Sequence, residues 1–240
     1  MDQYSRTGFL LGKENMEKLK NAHVAVFGLG GVGGYAVEAL ARSGVGELTL
    51  VDHDTVSLTN LNRQILATHS TVGMEKALAA QKRVEDIDPA IKVNAVCGFF
   101  GPDTKDNFDF TAYDYVVDAI DTVTGKLALV MACKAANTPI ICSMGAGNKL
   151  DPTAFRVSDI YKTTVDPLSR IMRKECRKRG IESLKVVWSP EEPIVCTPPP
   201  DDPAWAELPQ GRNALPGSCA WVPSAVGLII AGEVVKDLIK

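Results

Sequence analysis

Cysteine and histidine are scarce in this chain: six and three among 240 residues. The cysteines stand at 97, 133, 142, 176, 196 and 219, the closest pair nine residues apart, so no CxxC of the kind used by structural zinc sites is present. Six thiols at this length do not make a disulfide framework either, and Cys97, Cys133 and Cys142 read as small core residues. A surplus of positive charge is also missing. Lys and Arg total 26 against 29 Asp and Glu, a net charge of −3, so any contact with nucleic acid has to come from a local patch. Low-complexity sequence is absent, with 20 Gly and 14 Pro, and a hydrophobic content of 45% excludes a disordered chain. No apolar run opens the sequence, so no secretory signal is expected and a cytoplasmic setting with reduced thiols follows. The uncharged stretch 213–232 has the length of a membrane span, but Asn213, Pro216, Ser218, Pro223 and Ser224 interrupt it. It reads as a loop followed by a buried helix, and no membrane insertion is expected.

What is present is an alternation of short apolar runs and helical spacings. Residues 23–27 (HVAVF), 47–51 (ELTLV), 91–97, 115–118 (YVVD) and 139–142 (PIIC) read as strands. Helical spacing fills 32–43, 73–86 and 125–136 between them. Strands that are apolar throughout, separated by helices, predict an α/β fold: a mostly parallel sheet with helices on both faces. After residue 150 the pattern changes to a strand at 155–160, a helix at 167–179, a strand at 184–188 and a closing helix at 222–239. Between the last two, residues 190–209 hold seven of the 14 prolines and five acids with no Lys or Arg, which predicts a mobile loop over 190–215. The expectation is one domain over 1–240, with a core at 20–150 and a C-terminal extension at 151–240.

The first site is the glycine run 28–34 (GLGGVGG), placed after a strand and opening a helix. Gly28, Gly30, Gly31 and Gly33 let the backbone turn, approach a phosphate and pack helix on strand, and the helix N-terminus offers free N–H groups to an anion. Asp52, 24 residues after Gly28 at the next strand end, is placed to accept ribose hydroxyls. That much suits NAD as well as ATP. The next segment favours a triphosphate: Asp54, Asn60, Arg63, Gln64 and Lys76 follow the second strand, and the two cations supply the charge that a triphosphate needs. Asp118 and Asp121 end the fourth strand. Either can serve Mg²⁺, which prefers oxygen ligands and substrate phosphates, and either can equally cap a helix; Asp121 is the first choice for the metal and Asp118 the second.

Taken together, the GxGGxG, the DxD after the second strand, the NxxRQ, Lys76 and Asp121 resemble the Rossmann-like adenylating domain of the ubiquitin-activating superfamily, over nearly all of the first 150 residues. The resemblance implies ribose binding at Asp52, phosphate binding by Asn60, Arg63 and Lys76, and Mg²⁺ at Asp121. It also implies a homodimer in which an arginine like Arg6 reaches the ATP of the other subunit. A narrower resemblance lies in 143–160 (SMGAGNKLDPTAFRVSDI) and the run to Arg170, which is similar to the tRNA threonylcarbamoyladenosine dehydratases. Those enzymes activate the threonyl carboxylate of a modified adenosine beside the anticodon and close it to a ring. The missing CxxC pairs depart from the sulfur-carrier branch of the superfamily. Cys196 stays open as a nucleophile, and no role follows from the residues for Cys219.

Independently, Arg170, Arg173, Lys174, Arg177, Lys178 and Arg179 place six cations in ten residues with only Glu175 against them. In a chain of negative net charge this predicts contact with a polyanion, here tRNA, although such a run can also be a solvated helix face. The reading is therefore an ATP- and Mg²⁺-dependent enzyme that adenylates and cyclises N6-threonylcarbamoyladenosine in tRNA. Two alternatives remain: adenylation of the C-terminus of a ubiquitin-like sulfur-carrier protein, in which case a sulfur-transfer protein is a candidate partner, and a nicotinamide-dependent oxidoreductase.

Overall fold

Val24, Ala25, Val26 and Phe27 have no solvent exposure at all, which places the first strand in the middle of a sheet covered on both sides. In the computed structural model, which describes residues 1–196, 201 and 216–240, this strand is β1 (His23–Phe27). The others are β2 (Glu47–Asp52), β3 (Lys92–Cys97), β4 (Tyr115–Asp118), β5 (Ile140–Ser143), β6 (Arg156–Asp159) and β7 (Lys185–Trp188). They form one sheet in the order β3-β2-β1-β4-β5-β7-β6. All neighbours are parallel except β6, which runs antiparallel to β7. The C-terminal extension thus continues the sheet of the core, because β7 pairs with β5.

Side-chain alternation splits the core in two. Val24 and Val26 face one layer, made by α3 (Gly33–Ser43), α4 (Lys76–Ile87) and α7 (Trp221–Leu238). Ala25 and Phe27 face the other, made by α5 (Val123–Ala136) and α6 (Pro167–Lys178). In α7, Val222, Val226, Ile230 and Val234 recur at four-residue intervals and are fully buried. No described helix is long and apolar enough to cross a membrane.

Three expectations need correction. Helix α4 starts at Lys76 rather than 73, because residues 73–75 are used elsewhere: Gly73 N–H donates to the Val56 carbonyl, the Met74 carbonyl accepts from Val56 N–H, and Thr55 pairs with Glu75. Strand β3 is an edge strand whose residues are half-buried or exposed, and Cys97 at its end is exposed rather than in the core. Two helices were not anticipated, α1 (Ser5–Leu11) and α2 (Lys13–Asn21). Between them they bury only Leu19, so they carry no apolar stripe to read. Most of the stretch 190–215, expected to be mobile, lies outside the described residues. Its described beginning is fastened: Ile194 N–H donates to the Asn148 carbonyl at 2.8 Å, and Glu191 accepts from Leu150 and Asp151 N–H at 2.8 and 3.1 Å.

The C-terminal end of α7 is tied to the sheet by a charged cluster. Asp237 accepts from the Tyr115 hydroxyl at 2.8 Å and from Lys185 at 2.9 Å, and Lys185 also meets Glu233 at 2.7 Å. Burial alone would raise the Asp237 carboxyl, but hydrogen bonds from Lys185, Lys240 and Tyr115 overcome it and hold it down to about 2, from an ordinary 3.8. A carboxyl depressed on folding stabilises the fold above its unfolded value, and the contribution fades as pH falls through the folded one. Asp237→Asn should therefore cost about 1–2 kcal/mol at neutral pH. In denaturant titrations that gap should close as pH drops from about 4 toward 2; a gap unchanged across this range would contradict the assignment.

Candidate active site

The strand order reverses between β2 and β4 on either side of β1, and in open α/β sheets ligands bind beyond the strand ends at such a reversal. A cavity of about 710 Å³ opens there. One wall is the loop between β1 and α3. Gly28 has φ 88°, a left-handed conformation, and a Cβ on it would lie 2.6 Å from the Ala119 carbonyl oxygen. A Cβ on Gly33 would lie 1.8 Å from the carbonyl oxygen of Gly28, so neither position admits a side chain.

Asp52, at the end of β2, is buried and accepts two backbone N–H groups: from Leu29 at 2.6 Å and from Asp54 at 2.8 Å. It therefore shapes the glycine loop as well as facing the cavity, a structural duty that the ribose role alone does not include. Lys76 is buried at the first position of α4, with Nζ 2.7 Å from Asp54. Burial pushes the Asp54 carboxyl up, but the hydrogen bond and charge of Lys76 outweigh it and leave the group below the usual carboxylate range. His53 Nε2 stands 3.3 Å from the other Asp54 oxygen. Asn60 closes a short 3-10 turn by accepting from Ser57 N–H at 3.1 Å.

Arg63 is held by donating to the Thr59 carbonyl at 3.0 Å and the Asn62 amide oxygen at 2.9 Å. No carboxylate lies within 4.0 Å of it among the described residues, and burial draws its guanidinium below the usual range. Gln64 is buried, and its Oε1 has no hydrogen-bond partner among the described residues. A half-buried cation without a counter-ion and an orphaned polar atom in the same wall fit an anionic ligand with donor groups.

Gly28, Gly30, Gly31, Asp52, Asp54, Asn60, Arg63, Gln64, Lys76 and Asp121 all line this one cavity. Gly33 sits behind the loop. Asp121 is exposed and makes no hydrogen bond among the described residues, so its oxygens are free for a hard cation. Asp118 is different. It is fully buried, paired with Lys126 at 3.0 Å, and accepts from Ile120 N–H at 3.1 Å. Lys126 also donates to the Ser143 carbonyl at 2.7 Å, so the pair fastens β4 to β5 and leaves Asp118 no place among the metal ligands. Arg6 lies exposed on α1 and outside this cavity.

Sequence reasoning missed part of the lining. Phe99 and Phe100 after β3, the 143–147 loop, Leu168 at the start of α6, and Pro223 of α7 all face the cavity. It also missed a second buried pair. Lys149 meets Asp166 at 3.0 Å and donates to the Gly145 carbonyl at 2.7 Å, while Asp166 caps α6 by accepting from Ser169 N–H at 2.7 Å. The helical spacing of 167–179 was visible, but not which side chain starts it.

A profile of the ThiF family matches residues 4–240. The chain belongs to the ThiF family. Along its whole length it is similar to a Bacillus subtilis tRNA threonylcarbamoyladenosine dehydratase, 45% identical over 243 residues and covering 96% of that protein. The crystal structure of the Escherichia coli tRNA N6-threonylcarbamoyladenosine dehydratase in complex with ATP superposes with a TM-score of 0.87. The two are 32% identical, over 99% of this chain and 93% of that one. An Escherichia coli molybdopterin-synthase adenylyltransferase is 35% identical, but over 66% of this chain and 64% of that protein.

Proposed function

We propose that this member of the ThiF family is an ATP-dependent tRNA threonylcarbamoyladenosine dehydratase. The observation that carries the reading is the single cavity in which a glycine loop, Asp52, Arg63, Lys76 and the unpartnered Gln64 converge, in a chain whose likeness to such dehydratases runs from end to end. A sulfur-carrier adenylating enzyme is the weaker reading, because that likeness covers 66% of the chain.

A carboxylate does not react with a neutral nucleophile until one of its oxygens can leave. In the proposed reaction the threonyl carboxylate oxygen attacks the α-phosphorus of ATP, giving an acyl-adenylate and pyrophosphate. Negative charge gathers on the departing pyrophosphate, and Arg63 and Lys76 are the side chains placed to stabilise it. Mg²⁺, when bound, neutralises the same phosphates, and Asp121 is the carboxylate that would hold it. A nucleophile within the substrate then attacks the acyl carbon and AMP leaves with the carboxylate oxygen. The balance is loss of one water, driven by cleavage of ATP, and no covalent bond to the enzyme is needed. Water exclusion matters at this step, since the acyl-adenylate is open to hydrolysis, and the walls from Phe100, Met144 and Leu168 are apolar.

Arg63→Ala and Lys76→Ala should each lower carboxylate-dependent pyrophosphate exchange by about 10²–10³-fold while the fold persists. Exchange near the wild-type rate in both would remove these residues from the chemistry. Asp121→Asn should shift the Mg²⁺ dependence of the same assay to higher concentration, and an unchanged profile would argue against the metal role.

We further propose a cytoplasmic homodimer with each site completed by Arg6 of the other copy. Helix α1 buries none of its residues, and beside Arg6 it exposes Phe9 at 78% and Leu10 at 84%, an apolar surface suited to a second copy. Arg6→Ala and Lys76→Ala chains, each inactive alone, should regain activity when mixed under subunit exchange. No recovery after demonstrated exchange would reject the shared site.

A further inference from the structure

The structure divides the six basic residues at 170–179. Arg173 is turned inward, donating to the Thr163 carbonyl at 2.9 Å and to the Thr163 hydroxyl. Lys178 and Arg179 both clasp Glu175, at 2.7 and 2.6 Å, and these hydrogen bonds hold the Glu175 carboxyl down to about 2. Arg170, Lys174 and Arg177 are exposed, and none has a carboxylate within 4.0 Å among the described residues. Their spacing of four and then three residues puts them on one face of α6, extending about 10 Å along its axis. Met172 and Cys176 hold the other face in the core.

Two features give this face a direction and an end. Its near end lies beside the cavity: the first turn of α6 borders the wall through Leu168, which projects on the core side of the helix, opposite the row. The buried Lys149 joins that turn to the same wall, through the cap Asp166 and the Gly145 carbonyl, so the helix leaves the cavity at a set angle. At its far end the Arg177 guanidinium lies over the Tyr161 ring, 5.0 Å from the centroid, and the Tyr161 hydroxyl donates to the Ile181 carbonyl. A guanidinium backed in this way is a flat cationic surface, which suits an unpaired nucleobase.

We propose that Arg170, Lys174 and Arg177 form a track for the single-stranded RNA that flanks the reacting nucleotide. Arg170 and Lys174 contact phosphates, and one unpaired base stacks on Arg177 above Tyr161. The other three cations support the helix and contribute no RNA contact. This rests on the reading that the activated carboxylate belongs to tRNA. RNA fits better than an acidic protein surface because the row combines point charges with a stacking plane on a helix whose first turn borders the nucleotide cavity.

The test is binding of an anticodon stem-loop RNA hairpin to the full chain over a salt series, with ATP binding measured in parallel. Arg170→Gln and Lys174→Gln should each reduce the slope of log K against log salt by about 0.7–0.9. Arg177→Lys keeps the charge and loses the plane, so the slope should hold while affinity falls about tenfold. Lys178→Gln should leave slope and affinity as in the wild type, and every variant should bind ATP normally. Unchanged slopes for Arg170→Gln and Lys174→Gln, or a Lys178→Gln effect equal to theirs, would overturn the track. Wild-type affinity in Arg177→Lys would overturn the stacking and favour a simple charge partner such as an acidic protein. If the wild-type chain binds ATP but not the hairpin at low salt, the tRNA reading itself falls, and the track with it.

Discussion

The site depends on one carboxylate. Asp52 ends β2 and accepts the N–H groups of Leu29 and Asp54, so it fixes the glycine loop on one side and the start of the 54–76 segment on the other. Charge-assisted hydrogen bonds of this kind are about twice as strong as neutral ones, which compensates for burying the carboxylate. Asp54, set by that contact, takes the Lys76 ammonium, and Lys76 N–H donates to the Asp54 carbonyl at 2.9 Å. Lys76 is therefore oriented through a chain that begins at Asp52, while Arg63, the other cation on this side, is held by Thr59 and Asn62. A loop of glycines would otherwise sample many conformations, and its pre-organisation comes from this contact rather than from its own side chains.

The opposite side of the cavity is held by a different device, two fully buried Lys–Asp pairs. Lys126–Asp118 fastens the ends of β4 and β5, and Lys149–Asp166 fastens the 143–147 loop to α6. In each pair the ammonium also donates to a backbone carbonyl and the carboxylate also accepts a backbone N–H, so the charges are well satisfied. Such pairs contribute little net stability over an apolar replacement, but breaking one leaves a buried charge, at a cost of about 3–5 kcal/mol. Their position gives geometry as their function: they hold the wall facing Arg63 and Lys76 at a set distance from the sheet. Apolar packing is non-directional and would not fix it so closely.

Much of this was legible in the chain. Strands buried on both faces, such as HVAVF, announce themselves by being apolar throughout, and the glycine run between strand and helix marks one wall of the cavity. The cations at Arg63 and Lys76 were visible through their offsets from Asp52. What could not be read was pairing across distance. Asp118 and Asp121, three residues apart, both remain metal candidates in the sequence, with Asp121 preferred, and only the arrival of Lys126 from α5 makes Asp118 structural and leaves Asp121 free. The six cations of 170–179 look uniform as a string, yet Thr163 and Glu175 engage three of them. Helices α1 and α2 escaped notice because they hardly contribute to the core, and Cys97 was misplaced because an edge strand is apolar on too few positions to show its exposure.

The central claim is that the cavity spends ATP to remove water from a nucleoside in tRNA. The direct measurement is mass analysis of nucleosides from tRNA bearing N6-threonylcarbamoyladenosine after incubation with this chain, ATP and Mg²⁺. The account predicts a nucleoside lighter by one water, with AMP and pyrophosphate formed in equal amounts, and no change when ATP is omitted. An unaltered nucleoside together with AMP release stimulated by a ubiquitin-like protein C-terminus would contradict it.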